Sequence, residues 1–212
     1  MNKSSNIIWS YTGKPDLVAG TEATSIEKLL AWTGGLIGVG ITLFFYWKNE
    51  FNWTNWQYIV VAIIAYDTVG GAIANSLNSC KRFYHSSLQI FEPGYVKLAK
   101  NHLLFALIHV HTLLISLIFP TAGLFYGIFW YLLLQASVLT VTKTPLYLQR
   151  PVSILIIVTA LLINSYVVIS PIGFEWLVPI LFIKIVYGHT VKEEPYRPET
   201  EKNIQQQLSA KS

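Results

Sequence analysis

The stretch that decides the fold lies at residues 56–78 and reads WQYIVVAIIAYDTVGGAIANSLN. It is long and apolar enough to form a helix that crosses a bilayer. Asp67 lies near its middle, where an ionisable side chain is costly and is rarely found without a role. At 100° per residue, Asn75 and Asn78 fall on the same side as Asp67. This side is therefore predicted to face other helices rather than lipid.

The composition indicates an integral membrane protein. The chain has 212 residues, of which 53% are hydrophobic and only 12% are charged, and its mean hydropathy is +0.46. Soluble domains carry about 25% charged residues. The net charge of +4 comes from basic residues grouped between apolar segments. We therefore expect membrane lipids as partners and no nucleic acid.

Six apolar segments are long enough to cross a bilayer when hydropathy is read together with turn and charge breaks. They lie near residues 28–47, 56–77, 98–119, 121–142, 151–169 and 172–189. The predicted fold is therefore all-α: a polytopic transmembrane helix bundle with about six spans. Its predicted parts are a polar arm at residues 1–25, the bundle at 26–190 and a mobile tail at 191–212.

The basic residues predict the orientation of this bundle. Of the 15 Lys and Arg residues, Lys48 alone falls in a predicted outer loop, and Lys184 lies inside the last span. The others all fall in segments on the opposite side, which the positive-inside rule assigns to the cytoplasm. Both termini are therefore expected to be cytoplasmic, in an inner or plasma membrane.

Helical geometry predicts that Asp67 and His109 lie at the same depth. Asp67 lies 11 residues into its span, and His109 lies 10 residues before the end of the next span. At about 1.5 Å rise per residue, both lie near the middle of the membrane. The same counting places Asn75 level with His102, whereas His111 falls on another face, about 160° from His109.

These residues predict an acid–base or metal site between the second and third spans. Asp67, His109 and His102 are the candidate catalytic residues, because carboxyl and imidazole groups transfer protons. Both groups also bind Zn²⁺, so a divalent metal such as zinc is a candidate cofactor. Its predicted ligands are Asp67, His109 and His85, with His102 or His189 as alternatives to His85. His102 and His109 are about 10 Å apart along the helix, which argues against both binding one ion.

A proton or cation path is the alternative interpretation of the same polar groups. Such a path would run from the midplane toward the cytoplasm. Its candidate residues are Asp67, His109, Asn75, His102 and Lys184, and Asn78 and His189 are further polar candidates nearby. Haem ligation by a single histidine is a weaker alternative, because no two histidines share one depth on different helices. The remaining alternatives are structural: Asp67 and His109 form a buried pair that fixes the helix register, and the Lys184 side chain equally well snorkels to the inner interface.

Four basic residues cluster beside the inner ends of the second and third spans. They are Lys81, Arg82, Lys97 and Lys100. Such a cluster is suited to hold the phosphate of a lipid headgroup, and the same charges also set the orientation. Gly70 and Gly71 lie on the Asp67 helix, where small residues favour close helix packing.

The sequence therefore favours a small membrane-embedded enzyme that acts on a lipid or another hydrophobic substrate. A proton- or cation-coupled transporter or channel component is the main alternative. The third interpretation is a structural subunit of a membrane complex. A second copy of the chain or a partner membrane subunit is a further candidate partner.

Overall fold

The structure is a computed structural model that describes residues 5–89 and 92–198, and its regular structure is almost entirely helical. The helices are α1 (Ser25–Lys48), α2 (Asn55–Ser76), α3 (Asn78–His85), α4 (Gly94–Lys100), α5 (His102–Leu107), α6 (His111–Ile118), α7 (Leu124–Lys143), α8 (Leu146–Tyr166) and α9 (Leu177–Phe182). A 3₁₀ turn (Pro120–Ala122) precedes α7, and α9 continues as a π-helical segment (Ile183–His189). Two short strands, β1 (Ser5–Ile7) and β2 (Tyr196–Pro198), pair with each other. The predicted helical bundle is confirmed at this level.

Four of these helices, α1, α2, α7 and α8, are long and apolar enough to cross a membrane. Helix α4 and the α5–α6 segment pass the same test together, but they are bent by 88° with respect to each other. The last apolar helix, Leu177–His189, is shorter than a usual span. The described residues therefore show four spanning helices, or five if the bent pair counts as one, rather than six regular spans.

Helices α1 and α2 pack closely because glycines remove side chains from their interface. A Cβ atom on Gly70 would lie 3.1 Å from the carbonyl oxygen of Ala31 and 3.2 Å from the Cα of Gly35. Both are backbone atoms of α1, so they cannot move away by a change of rotamer as side-chain atoms can. Gly34 and Gly38 of α1 likewise leave room for large side chains of α2. Small residues allow such close contact in membrane helices.

The helix predicted at residues 98–119 is broken twice. The chain turns at Asn101, whose side chain accepts hydrogen bonds from the first backbone N–H groups of α5. It breaks again between α5 and α6, where the backbone N–H of His109 bonds to Ala106, three residues back. Neither break contains proline or glycine, which are the usual sequence signals of a helix break, so the local sequence did not predict either break.

Side chains of α7 satisfy the backbone at the second break. The Gln135 amide donates to the carbonyl of Ala106 at 3.1 Å, and the Tyr131 hydroxyl donates to the carbonyl of Leu107 at 3.0 Å. Irregular backbone is tolerated within a membrane only where protein or water supplies such partners. The break is therefore part of the packing between α5–α6 and α7.

The predicted N-terminal arm is packed against α3. The Tyr84 hydroxyl donates to the carbonyl of Leu17 at 2.6 Å, and the Ser79 hydroxyl donates to the carbonyl of Ala19 at 2.5 Å. Gly20 has a φ of +78°, and a Cβ atom there would collide with the backbone of α3. A second hydrophobic core lies under the arm and is formed by Tyr11, Cys80, Phe83, Tyr84, Val96 and Ala99. We call this side of the bundle the arm end.

The two ends of the described chain meet at the arm end. Strands β1 and β2 are antiparallel, with Asn6 opposite Arg197. The predicted tail starts inside the fold, because Val191 is fully buried and Glu193 pairs with Arg150 at 3.0 Å. Residues 199–212 of that tail lie outside the described residues, as do residues 1–4 of the arm.

Aromatic side chains close the opposite end of the bundle, which we call the aromatic end. Tyr46, Phe51, Trp53, Phe119 and Phe174 contact one another with ring centroids 4.6–5.4 Å apart. The Tyr46 hydroxyl also donates to the carbonyl of Gly173 at 2.7 Å, in the loop before α9. This end is consequently well packed, whereas the buried charged and histidine side chains of the described residues lie away from it.

Candidate functional site

Asp67 forms an ion pair with a lysine on the last helix. The Lys184 ammonium donates to Oδ2 of Asp67 at 2.6 Å, and Nε2 of His111 lies 2.9 Å from the same oxygen. The Lys184 side chain is buried, whereas 47% of the Asp67 side chain is accessible. Asp67 thus joins α2 to the π-helical segment and to α6 while leaving part of its carboxylate open to a ligand.

Two residues of α2 make room for Lys184. A Cβ atom on Gly71 would collide with the end of the Lys184 side chain, so glycine at this position lets the lysine pass α2. The Asn75 amide donates to the backbone carbonyl of Lys184 at 3.1 Å, within the π-helical segment. π-helical turns leave the regular hydrogen-bonding pattern and are frequent at functional sites. The sequence had given snorkelling of Lys184 to the interface as an equal alternative.

Asp67 and His109 line the same groove, but no direct hydrogen bond joins them. His109 lies on the wall near Asp67, but its Nδ1 is 2.6 Å from the carbonyl of Phe105, and its ring centroid is 5.5 Å from that of His111. The sequence placed His111 on another face because its position was calculated at 100° per residue for one continuous helix over residues 98–119. The break before α6 changes the rotation, so His111 reaches Asp67 instead of facing away.

The open side of Asp67 faces a groove of about 640 Å³ along α2. The groove contacts α2 from Ile59 to Asn75, which corresponds to about 24 Å of helix. Its walls are mostly apolar, and its polar side chains include Asp67, His109 and Lys184. Trp32 and Ile63 line the groove and are about 60% exposed on the outer surface of the bundle. The groove therefore opens sideways, toward the surface that would contact lipid.

The other three histidines form a cluster nearer the arm end. The ring centroid of His102 lies 4.7 Å from that of His85 and 4.9 Å from that of His189. His189 stacks on Phe105 with the rings 3.7 Å apart, and Phe105 contacts His109 at 4.6 Å. Phe105 therefore separates this lower cluster from Asp67 and its partners.

The predicted metal site is not assembled. Asp67 and His109 lie on one side of Phe105, and His85 lies on the other. Within residues 5–89 and 92–198, no group of three or more His, Cys, Asp or Glu side chains is placed to hold a metal ion. The geometry thus gives no support to zinc ligation by Asp67, His109 and His85.

Two of the four predicted headgroup-binding residues are engaged inside the protein. The Lys81 ammonium donates to the carbonyls of Gly188 and Val191 at 2.6 and 2.8 Å, and burial lowers its pKa to about 8. Lys100 is buried and pairs with Glu92 at 2.9 Å. Both ammonium groups are therefore unavailable to a headgroup, contrary to the prediction.

The remaining predicted site residues divide between packed and exposed positions. Arg82 is 2% exposed, whereas Lys97 is exposed on α4. Asn78 is exposed at the first position of α3, because α2 ends at Ser76, and it therefore lies outside the Asp67 site. The Nε2–H group of His85 donates a hydrogen bond to the carbonyl of His189 at 3.0 Å, and burial holds the pKa of His85 well below its usual value.

Comparison of the chain with protein-family models, with curated proteins and with solved structures found no match.

Proposed function

We propose that the protein is a membrane-embedded enzyme that takes a lipid or another hydrophobic molecule into the groove and transfers a proton to or from it at Asp67. The observation that carries this proposal is the half-accessible Asp67 carboxylate on the wall of an apolar groove. Ionisable groups within a membrane are expensive and usually mark a working site. A carboxylate needed only for packing has no reason to face open space.

The neighbours of Asp67 suit acid–base chemistry. The carboxylate is the proton acceptor, and the Lys184 ammonium at 2.6 Å stabilises its charged form. His111 Nε2, at 2.9 Å, is placed to exchange a proton with the same oxygen. Lys184 also provides a fixed positive charge next to the groove, where a negative charge that develops on the substrate would be stabilised in a low dielectric.

The shape of the groove suggests the class of substrate. A slot of about 24 Å along one helix accommodates an extended alkyl or isoprenoid chain better than a compact polar solute. The polar side chains lie partway along the slot rather than at its end. We therefore propose an amphiphile that enters from the lipid and places a polar group beside Asp67, with apolar portions on the groove walls.

The proposed topology is six crossings with the arm end in the cytoplasm of an inner or plasma membrane. Pairing of β1 with β2 supports an even number of crossings, because both described ends lie on the same side. In this arrangement the bent α4–α6 segment and the short helix Leu177–His189 are the two irregular crossings. The excess of basic residues at the arm end favours its cytoplasmic location.

A proton- or cation-coupled transporter is the second candidate. The observation that favours it is the charged group of Asp67, Lys184 and His111 within the helix bundle, as in many coupled transporters. The close packing of aromatic rings at the aromatic end favours the enzyme over a route that crosses the whole bundle. A scaffold subunit would need neither the groove nor the accessible carboxylate.

The test begins with molecules that bind to the purified protein. Wild type, Asp67→Asn and Thr68→Val are purified from the same membranes, and the lipids that remain bound are identified by native mass spectrometry. Asp67→Asn keeps the size of the side chain but removes its charge. Thr68→Val is the matched control, because the Thr68 hydroxyl donates only to carbonyls of its own helix, at 2.7 Å for Ile64.

The enzyme proposal expects one amphiphile in wild type and Thr68→Val, and a changed ratio of that amphiphile to a related product in Asp67→Asn. Lipid profiles of the host membranes supply the same comparison in cells. Identical bound molecules and identical profiles in all three proteins would contradict the proposal. Proton flux into vesicles that contain wild type but not Asp67→Asn would favour the transporter instead.

A further inference from the structure

All five histidines of the chain lie along one line through the arm-end half of the bundle. His111 contacts Asp67 and is followed by His109, with ring centroids 5.5 Å apart. Below Phe105, the line continues through His189, His102 and His85. These rings come from four separate parts of the chain, so the alignment is a property of the tertiary fold and not of one helix.

The line of rings connects two cavities. At one end, Asp67 and His109 line the groove. At the other end, His102 lines a pocket of about 320 Å³ at the arm end, together with Lys100, Asn101, Leu103, Leu139, Thr142 and Lys143. We call this the inner pocket. The series of histidine rings, interrupted by Phe105, therefore extends from the groove to the inner pocket.

Several ring nitrogens on this line have no hydrogen-bond partner among the described residues. Both nitrogens of His189 are in this state, as are Nδ1 of His102 and Nδ1 of His111. His189 is 1% exposed. Buried polar groups without partners destabilise a protein, and a phenylalanine would fill the place of His189 without that cost. The position therefore uses the nitrogens of His189 and not merely its volume.

We propose that four of the histidines carry protons between the inner pocket and Asp67, with Phe105 dividing the path into two halves. They are His102, His189, His109 and His111, whereas His85 contacts His102 beside the inner pocket. This deepens the proposed function, since it supplies and removes the proton that Asp67 exchanges with a substrate. Each neutral ring accepts a proton at one nitrogen and releases another from its second nitrogen. The ring returns to the neutral state as its other tautomer, and no bond between heavy atoms changes.

The charges around the path favour transfer over storage of a proton. Lys81 acts electrostatically on His85, His102 and His189, and Lys192 also acts on His85. Lys184 faces His109 from the last helix, and Asp67 is the one carboxylate among the charged groups that act on His109. Nearby positive charges disfavour a lasting imidazolium, so a proton does not remain on one of these rings.

Phe105 is the control point of this path. Its ring is 3.7 Å from that of His189 and 4.6 Å from that of His109, so it occupies the contact between the two halves. Its backbone carbonyl is also 2.6 Å from Nδ1 of His109. A movement of α5 would shift the ring and this carbonyl together, and the two halves would then connect.

The path is tested by solvent exchange of the ring N–H groups. The protein is labelled with ¹⁵N-histidine, placed in phosphatidylcholine nanodiscs and transferred to D₂O, and NMR follows the loss of each ring N–H signal. Five histidines give few signals, which are assigned by substituting one ring at a time. The readout is exchange at His111, the ring farthest from the inner pocket. It needs no substrate, so its outcome is independent of whether the protein is an enzyme.

Three variants give the decisive comparison. His189→Phe removes the central nitrogens with little change in volume and should slow exchange at His111 at least about tenfold. Phe105→Ala should accelerate it, because water then reaches between His109 and His189. Trp130→Phe is the control, since Trp130 is a buried aromatic residue of the main core. It should leave exchange unchanged.

Unchanged exchange at His111 in His189→Phe would overturn the path and would mean that solvent protons reach His111 through the groove. If His189→Phe does not fold, His102→Phe asks the same question at the mouth of the path, and unchanged exchange there has the same meaning. Exchange at His111 that is no faster in Phe105→Ala than in wild type would overturn the role of Phe105. Identical bound molecules in wild type and Asp67→Asn, together with slowed exchange in His189→Phe, would contradict the enzyme and support the path. A changed ratio of bound molecules in Asp67→Asn with unchanged exchange in His189→Phe would support the enzyme and overturn the path.

Discussion

The two faces of α2 are held to their neighbours by different physical means. Toward α1, Gly70 brings the backbones into contact, and the association depends on shape. Toward the last helix, Asp67 and Asn75 make polar contacts with Lys184, and Gly71 provides space for its side chain. The two adjacent glycines therefore have opposite effects. Gly70 lets the backbones of α1 and α2 touch, whereas Gly71 leaves space for the Lys184 side chain. The first face holds the fold together, and the second face carries the site.

Gly70→Leu should give the largest loss of stability. The new side chain meets backbone atoms of α1 at 3.1–3.2 Å already at its Cβ, so the helices must separate. We expect a loss of about 3 kcal/mol or more, seen in thermal unfolding in detergent and in a lower yield of monodisperse protein. Gly40→Leu is the control, because a Cβ there meets no atom within 4 Å. Equal losses in both variants would show that glycine packing does not hold this face.

Lys184→Met should rank second, because it leaves the Asp67 carboxylate without its ammonium partner. Removing one member of a fully buried ion pair costs roughly 3–5 kcal/mol, and we expect about 2 kcal/mol here because about half of the Asp67 side chain is accessible and His111 remains beside it. Asp67→Asn in the same protein should restore most of that loss. Lys28→Met is the matched control, since the exposed pair of Lys28 and Asp16, at 3.7 Å, is worth at most about 0.5 kcal/mol. A double variant no more stable than Lys184→Met would mean that the two residues do not act as a pair.

Gly71→Ala should be harmful even though alanine favours helices by about 1 kcal/mol over glycine. The added methyl group occupies the place of the Lys184 side chain, which must leave Asp67. We expect a net loss of about 1 kcal/mol in thermal unfolding. In a Lys184→Ala protein, adding Gly71→Ala should be neutral or stabilising relative to Lys184→Ala alone. If Gly71→Ala stabilises the otherwise wild-type protein, then the lysine does not depend on the open space at Gly71.

Asn75→Ala should have the smallest effect of the four. It removes the amide that donates to the carbonyl of Lys184, and a lost hydrogen bond of this kind costs about 1 kcal/mol. Ser76→Ala, next along the helix, is the control, because the Ser76 hydroxyl is exposed and bonds only to its own helix at 2.8 Å. Hydrogen exchange of the π-helical segment should increase in Asn75→Ala alone. No such increase would remove Asn75 from the support of the site.

The sequence correctly predicted an all-helical fold with several helices long and apolar enough to cross a membrane, and it selected α2 as the helix of the candidate site. Both predictions depend on long apolar segments and on one charge within them, which are local properties of the chain. The number of regular spans was predicted less well. The breaks at Asn101 and before α6 contain no proline or glycine, and their backbone partners Tyr131 and Gln135 lie about 30 residues away. A reading of local sequence does not find such partners.

The partners of Asp67 were predicted incorrectly for the same reason. His111 was placed on another face because a continuous helix was assumed, and Lys184 was considered a residue that could reach the interface. A signal for Lys184 was present in Gly71, since an empty position beside an intramembrane carboxylate leaves room for a long side chain. The lower histidine cluster left no comparable signal. Its members come from α3, α5 and the π-helical segment, which only the tertiary fold brings together.

The pairing of β1 with β2 also fixes the order in which the molecule can be completed during its synthesis. About 190 residues separate the two strands, which takes a ribosome roughly 10–40 s. Throughout that interval the first strand has no partner, although the arm can already fold against α3. The last contacts at the arm end, among them those of Lys81 with the carbonyls of Gly188 and Val191, also wait for the final helix. Closure of the arm end therefore has to wait until residues 183–198 have been synthesised, and a chain cut short before residue 190 would be left with this side open.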